Sequence, residues 1–377
     1  MKSIKVNNFL SFFLWRFLGI LLICGLTFFI TGQIADMRLL VFDCEFDCNT
    51  EYGARTLSAI KIFSFLQNIF LTRILLVFFL AGISSSILYL LCKSFVDKIN
   101  FKNWALLLIS PCLLIYTNVP TKEIIFFYPA VIYIILECKF LISESRNNLK
   151  TFLNIILKFA ILPFIFYWRG YLAAPYLFLA ILSIFLKNFR IGEISKKINL
   201  KNNIILAFIF STILISFLNL LNSDLFEEYM IYLYQALDSG NSLYRSNLDY
   251  YFMSDPLNSI YIQYLSLFPT IDELIDKPYQ FIIVIESITL IYVFFNSWKN
   301  LFETIKTSKK AKKITLVLFG FIIISYFTIY GFIGSFNAGS SQRFRVNYIP
   351  IGIFFPLILE KNIRDKFELK SRSIKNE

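Results

Sequence analysis

The chain has 377 residues, of which 57% are hydrophobic and 16% are charged, and its mean hydropathy is +0.65. Soluble domains are about 45–50% apolar and about 25% charged, so this composition excludes an ordinary soluble globular protein. The chain contains no histidine, which excludes histidine-based acid–base chemistry and most zinc sites.

Apolar segments close to the length that crosses about 30 Å of hydrocarbon follow one another along the chain. They predict an all-α, polytopic membrane protein with about ten transmembrane helices, forming a single transmembrane domain over 1–377. The predicted spans are 12–34, 69–92, 104–117, 123–142, 151–168, 171–187, 203–221, 280–297, 314–334 and 347–360. The third, fifth and last are short and could be tilted or partly re-entrant. The first ends without a small-residue cleavage site, which favours a retained helix over a signal peptide.

The connections between these spans alternate in charge. The even-numbered connections and both chain ends are basic, and Arg16 could extend toward the N-terminal side. The long connection 222–279 is acidic. Because lysine and arginine accumulate in cytoplasmic loops, both termini are predicted to be cytoplasmic. The same rule accounts for the net charge of +12 without a nucleic-acid partner.

Two outer segments have features of their own. The loop 222–279, between spans 7 and 8, is long and rich in tyrosine, with helical periodicity in its first part. We expect a partly helical outer subdomain there. In the first outer loop, 35–68, Cys44 and Cys48 could close a small disulfide if this side is oxidising. The sequence leaves that pairing open.

Three arginines break the charge rule, because they lie in short connections on the outer side. Arg343 and Arg345 occur in NAGSSQRFRVNYIP, and Arg169 occurs in FIFYWRGYLAAPY. Arginine binds phosphate groups with a planar fork, so these residues predict an anion site at the outer membrane boundary. In an extended segment Arg343 and Arg345 would share one side, whereas in a helix they would diverge.

Other polar and aromatic residues on the same side are candidates for substrate binding, each with a plain alternative. Lys122 and Glu123 could form a local ion pair at a helix start, and Arg73 could extend to the outer headgroups. Glu286, inside the eighth span, could be a protonated packing residue or pair with an arginine. The remaining candidates are Arg245, Trp168, Tyr171, Phe344 and Tyr348, whose aromatic members suit either sugar stacking or an interfacial belt. Arg38 and Arg55 are expected to be solvated loop charges.

Four of these segments resemble motifs of Wzy-type bacterial polysaccharide polymerases, and they occur in the same order. The segments are NVPTKEIIFF, IFYWRGYLAAPYL, LSLFPTIDELIDKPYQFIIVIESI and NAGSSQRFRVNYIPIGIFF. The resemblance covers roughly residues 118–356. It implies a GT-C-like membrane fold in the bacterial inner membrane.

The resemblance also implies an activity, namely polymerisation of undecaprenyl-diphosphate-linked oligosaccharide units at the periplasmic face, without a metal or other cofactor. Arg343, Arg345 and Arg169 would hold the diphosphate, with Lys122 assisting. Glu123 or Asp36 would accept the hydroxyl proton of the acceptor sugar. A chain-length regulator and a flippase are the implied protein partners. The absence of histidine departs from the related O-antigen ligases, so the identity of the base stays open.

Two other functions fit the residues. A GT-C transferase that uses polyprenyl-phosphate sugars would carry a critical acidic residue in the first outer loop. Candidates for it are Asp36, Asp43, Glu45 and Asp47. A transporter or flippase for an anionic lipid-linked glycan is the other alternative, although no internal repeat of the kind common in transporters is visible.

Overall fold

The computed structural model describes residues 9–31, 54–70, 72–95, 110–142, 149–169, 173–187, 258–305, 309–327 and 345–375. Within these ranges the regular structure is helical and contains no strand, which confirms the predicted all-α class. Helices suit a chain with so few polar side chains, because every backbone hydrogen bond of a helix is made within one segment.

Twelve α-helices are described. They are α1 Phe9–Thr31, α2 Ala54–Phe70, α3 Arg73–Phe95, α4 Pro111–Tyr116, α5 Lys122–Ile142, α6 Leu149–Arg169, α7 Ala174–Lys187, α8 Ser259–Leu267, α9 Ile271–Asp276, α10 Phe281–Thr304, α11 Lys309–Ser325 and α12 Phe355–Lys375. A 3₁₀ turn, Pro278–Gln280, precedes α10, and a π-helix, Pro350–Phe354, precedes α12.

Two described helices are long and apolar enough to cross a membrane, α5 over Lys122–Leu141 and α10 over Phe281–Thr304. The pair α2 and α3, bent by 109° at their junction, would make a third span if the two are counted together. Exposed leucines at Leu14, Leu18 and Leu22 form one stripe along α1, as expected for a helix that faces lipid. The described helices therefore support a helical membrane protein. Predicted span 203–221 lies outside the described residues.

The chain divides into two compact units. The first unit contains α1 to α6, the part of α10 from Tyr292, and the chain from Ile349 onward. Its central helix is α5, which packs most extensively against α6 and also contacts α12, the π-helix, α2 and α3. Helix α1 packs against α3 and α4, where the ring of Phe78 meets the rings of Phe13 and Phe17 edge-on at 5.4 and 5.0 Å.

The π-helix Pro350–Phe354 changes the backbone hydrogen-bonding pattern just before α12. Proline has no N–H to donate, so the regular helical bonding cannot continue through Pro350. Side chains of the same unit supply donors nearby, since Trp298 Nε1 donates to the carbonyl of Gly352 at 2.8 Å. Cys138 Sγ lies 3.8 Å from the carbonyl of Phe355.

The second unit contains α7 from Leu177, α8, α9, the start of α10 as far as Ile291, α11 and the chain up to Tyr348. The described polar contacts of this unit lie around the C-terminal end of α8. Ser266 and Gln263 of that helix are buried, as are Ser287 of α10 and Arg345. A polar layer therefore lies inside an otherwise apolar unit.

The structure differs from the predicted elements in four places. Residues 54–68, expected to belong to an outer loop, form most of helix α2. Helix α10 extends to Thr304, beyond the predicted end at residue 297, and α12 extends to Lys375, beyond the predicted end of the last span at residue 360. Residues 345–349 are helical, so Arg345 does not lie in an extended segment.

Candidate functional site

Arg345 is the predicted site residue whose surroundings the structure defines most fully. Its side chain is only 4% exposed. Nη1 donates to Ser287 Oγ at 2.8 Å, and Nη2 donates to the carbonyl of Leu267 at 2.6 Å and that of Ser266 at 3.4 Å. Ser266 and Leu267 are the last residues of α8, where helix carbonyls lack partners within the helix. Arg345 therefore caps α8 with a positive charge, which also suits the negative end of the helix dipole.

Ser287 links the same carbonyl to α10. Its Oγ lies 2.5 Å from the carbonyl of Leu267 and 2.6 Å from that of Ile283, while it accepts the bond from Arg345. This contact joins the segment LSLFPTIDELIDKPYQFIIVIESI to the segment containing RFR. The sequence analysis selected both segments but could not place them against each other.

The other described candidates of the second unit lie in the same buried layer. Glu286 precedes Ser287 in α10 and is 4% exposed. Tyr348 donates its hydroxyl proton to the carbonyl of Ile322 at 2.8 Å, and its ring packs against Tyr326 at 4.9 Å between centroids. The hydroxyl of Tyr326 in turn donates to the carbonyl of Ser266 at 3.4 Å, so Arg345 and Tyr326 share that acceptor.

In the first unit, Lys122 and Glu123 begin α5, directly after a buried turn over residues 117–121. Glu123 is fully buried, and its place in the first turn puts a carboxylate at the positive end of the helix dipole. Irregular backbone at membrane depth requires partners from the protein. Here Tyr128 Oη donates to the carbonyl of Thr117 at 2.6 Å, and Asn118 Nδ2 donates to that of Leu114 at 2.7 Å.

Arg16 lies on the other side of this turn, and its position corrects an expectation. The sequence predicts that it extends toward the cytoplasmic surface, but the side chain is fully buried. Its Nε donates to Ser85 Oγ at 3.2 Å, and its Nη2 donates to Ser84 Oγ at 3.1 Å and Thr117 Oγ1 at 3.5 Å. The guanidinium of Arg16 therefore donates to hydroxyl groups of α3 and of the turn, and not to water or lipid headgroups at the membrane surface.

Helices α5 and α6 bring two of the selected segments to one end of the first unit. Ile124, near the start of α5, and Trp168, near the end of α6, belong to one buried cluster that also contains Leu76 of α3. Lys122 and Glu123 therefore lie at the same end as the last turn of α6, which contains Arg169, and the first turn of α3, which contains Arg73. The start of α5 in NVPTKEIIFF and the end of α6 in IFYWR therefore lie at the same end of this helix pair.

Several predicted site residues lie outside the described residues, namely Asp36, Asp43, Glu45, Asp47, Tyr171, Arg245, Arg343 and Phe344. Cys44, Cys48 and most of the predicted outer subdomain, through residue 257, lie outside them as well.

The sequence analysis missed a buried ion pair. Lys158 Nζ of α6 lies 3.1 and 3.2 Å from the two carboxylate oxygens of Glu137 in α5, and both side chains are buried. Glu137 lies five residues before the end of α5 at Ile142, and Lys158 lies nine residues after the start of α6 at Leu149. An acidic and a basic residue within the apolar parts of two consecutive helices favour pairing, so part of the signal was present in the sequence.

The part of the chain that the structure describes contains no group of three or more cysteine, aspartate and glutamate residues that could hold a metal ion. No family model, curated protein or solved structure matches the chain.

Proposed function

We propose that this chain is a glycosyltransferase of the bacterial inner membrane that polymerises undecaprenyl-diphosphate-linked oligosaccharide units on its outer face. In this reaction the bond between the sugar C1 and the diphosphate breaks. A hydroxyl oxygen of the acceptor sugar forms the new glycosidic bond, and its proton passes to a carboxylate or to water. The lipid diphosphate leaves with the electron pair.

The observation that carries the proposal is the pairwise contact of the four segments that resemble the polymerase motifs. The first two segments meet at one end of the α5–α6 pair, through Ile124 and Trp168. The last two are joined by the hydrogen bonds of Arg345 with Ser287 and Leu267.

The geometry divides the proposed roles. Arg345 directs two of its three nitrogens at acceptors of the protein, so we assign it the role of holding α8 against α10. Lys122 and Arg169 of the first unit are the proposed diphosphate ligands, because charge that develops on a leaving phosphate is best stabilised by fixed cations. Glu123, buried at the start of α5, is the proposed base.

The test uses purified protein in lipid nanodiscs with a synthetic lipid-diphosphate oligosaccharide. Product length is read by gel electrophoresis and mass spectrometry. We expect a ladder of products from the wild-type chain and a loss of about 10²-fold in rate for Lys122→Ala, the cost of losing one group that stabilises transition-state charge. Glu123→Gln should also reduce the rate.

Lys139 supplies the matched control for this test. It is an exposed lysine in the last turn of the same helix, far from Lys122 along α5. Lys139→Ala should keep the wild-type rate. Equal losses in the two lysine variants, or no ladder from well-folded wild-type protein, would contradict the proposal. If monophosphate-linked sugars are used and diphosphate-linked ones are not, the GT-C transferase that uses polyprenyl-phosphate sugars replaces the polymerase.

One observation favours a transporter as the second candidate function. Buried ion pairs within membrane helices often mark transport pathways, and Glu137 and Lys158 form such a pair. The same substrate, sealed with the protein in vesicles, separates the two functions. Movement of intact substrate across the bilayer without a new glycosidic bond would identify a transporter.

A further inference from the structure

Helix α9 has an apolar face that the described structure leaves uncovered. Ile271 and Ile275 are 72% and 71% exposed, and their spacing of four residues puts them on one face. The acidic residues Asp272, Glu273 and Asp276 occupy the opposite face of the same helix. A short, clearly divided helix of this kind is amphipathic, with its apolar side outward.

Hydrogen bonds on its N-terminal side define the start of this short helix. Thr270 Oγ1 accepts from the backbone N–H of Glu273 at 3.1 Å, and the Glu273 carboxylate accepts from the backbone N–H of Thr270 at 2.7 Å. This reciprocal capping box sets the start of α9. Tyr264 Oη of α8 donates to the carbonyl of Pro269 at 3.3 Å. The exposure of the two isoleucines therefore belongs to an ordered element.

The neighbouring helix indicates what covers this face. Only the 3₁₀ turn Pro278–Gln280 and Lys277 separate α9 from α10, which is long and apolar enough to cross a membrane. The first turns of α10 expose Phe281, Ile285 and Ile288, so that side of the helix faces lipid. Tyr261 and Tyr264 of α8 are also exposed, and tyrosine is enriched where membrane meets water.

We propose that α9 lies in the outer interfacial layer of the membrane, with Ile271 and Ile275 in contact with lipid acyl chains. The acidic face points to water, which is consistent with the outer side, where basic residues are scarce. Helix α9 holds the end of α8 and the start of α10 at the membrane surface. This proposal does not depend on the reaction that the protein catalyses.

The test measures where each face of α9 lies. A keto-bearing amino acid is introduced singly at positions 271, 275, 272 and 276 and is coupled to a nitroxide, so the native cysteines stay unchanged. Thr270 and Glu273 are left intact to preserve the capping box. The labelled proteins are placed in phosphatidylcholine nanodiscs, and spin relaxation is measured with oxygen, which concentrates in lipid, and with a water-soluble nickel chelate.

We expect a higher ratio of oxygen to nickel accessibility at positions 271 and 275 than at 272 and 276. Position 285 on α10 gives the reference value for lipid contact. High nickel accessibility at 271 and 275 would place this face in water and overturn the proposal. Low accessibility to both reagents at 271 and 275 would indicate a protein partner or a second copy, and would overturn it too.

A second measurement guards against a label that disturbs the fold. The variant Ile271→Ser/Ile275→Ser is compared with Asp272→Asn/Asp276→Asn, and each is labelled at position 285 and measured in the same nanodiscs. Loss of the apolar face should release the start of α10 from the interface and lower the oxygen-to-nickel ratio at 285 only in the serine variant. An unchanged ratio in the serine variant would contradict the anchoring role of α9.

Discussion

Two buried arginines, one in each unit, are held by different kinds of acceptor. Arg345 of the second unit donates to two backbone carbonyls at the end of α8 and to one hydroxyl. Arg16 of the first unit donates to three side-chain hydroxyls. A carbonyl at a helix end is fixed and can only accept, whereas a hydroxyl rotates and can both donate and accept. The carbonyl acceptors of Arg345 therefore allow only one hydrogen-bonding arrangement. The hydroxyl partners of Arg16 can instead form hydrogen bonds with each other when the arginine is removed.

A third buried cation, Lys158, provides a reference for this comparison. Its substitution should lower the stability of the protein most. Lys158 is paired with a carboxylate, and removing one member of a buried ion pair leaves the other charge uncompensated. We expect Lys158→Met to lower the free energy of unfolding by about 3–5 kcal/mol. The measurement is unfolding in mixtures of SDS and dodecylmaltoside, followed by circular dichroism.

The double variant Glu137→Leu/Lys158→Met is the control for this first prediction. With both charges gone, no ion stays buried without its partner, so stability should return to within about 1 kcal/mol of wild type. A double variant as unstable as Lys158→Met would show that the single variant loses packing instead of charge compensation.

The next largest effect is expected for Arg345→Ala. The substitution removes the guanidinium from the carbonyls of Ser266 and Leu267, which keep only the hydroxyl groups of Tyr326 and Ser287 as donors. Hydrogen bonds to a charged group contribute about 1.5–3 kcal/mol. We expect a loss of about 3 kcal/mol in the same unfolding assay. Arg364 supplies a matched arginine, because it is 61% exposed in its pair with Glu360. Arg364→Ala should cost less than about 1 kcal/mol.

Arg16→Ala should cost less than Arg345→Ala, about 2 kcal/mol, although Arg16 is the more deeply buried. Ser84 and Thr117 already lie 3.4 Å apart and can bond to each other once the guanidinium is removed. Thr117 also donates to the carbonyl of Leu113. If Arg16→Ala destabilises the protein as much as Arg345→Ala, hydroxyl acceptors confer no adaptability and the comparison fails.

These three cations also show how far sequence reasoning reaches. Long apolar runs predict helices without knowledge of packing, so the all-α class follows from those runs. The Glu137–Lys158 contact has a signal in the sequence, because an acidic and a basic residue lie within the apolar parts of two consecutive helices. The contact of Arg345 with Leu267 joins residues 78 positions apart, and that of Arg16 with Ser85 joins residues 69 positions apart. No local pattern specifies such pairs, because they depend on how whole helices pack.

Helix α2 shows a case in which a local pattern was present in the sequence but the segment's polar residues favoured a loop. Lys61 and Gln67 lower the mean hydropathy of residues 54–70, and the predicted outer loop 35–68 includes most of this helix. The structure nevertheless buries Ala59, Ile60 and Phe63 on one face of that segment. Periodicity would have identified the helix where total hydropathy did not.

The smallest expected effects come from the serines that serve the two arginines. Ser287→Ala removes one acceptor of Arg345 and the link to the carbonyl of Leu267, so we expect a loss of about 1–2 kcal/mol. Ser84→Ala leaves Arg16 bonded to Ser85 and Thr117, so its loss should stay below about 1 kcal/mol. Both substitutions remove a single hydroxyl from a buried site, so their packing costs nearly cancel. The difference between the two losses of unfolding free energy shows how much more the Arg345 site, with its backbone carbonyl acceptors, depends on a single hydroxyl than the Arg16 site does. A larger loss at Ser84 than at Ser287 would reverse the assignment of the rigid and adaptable arginine sites.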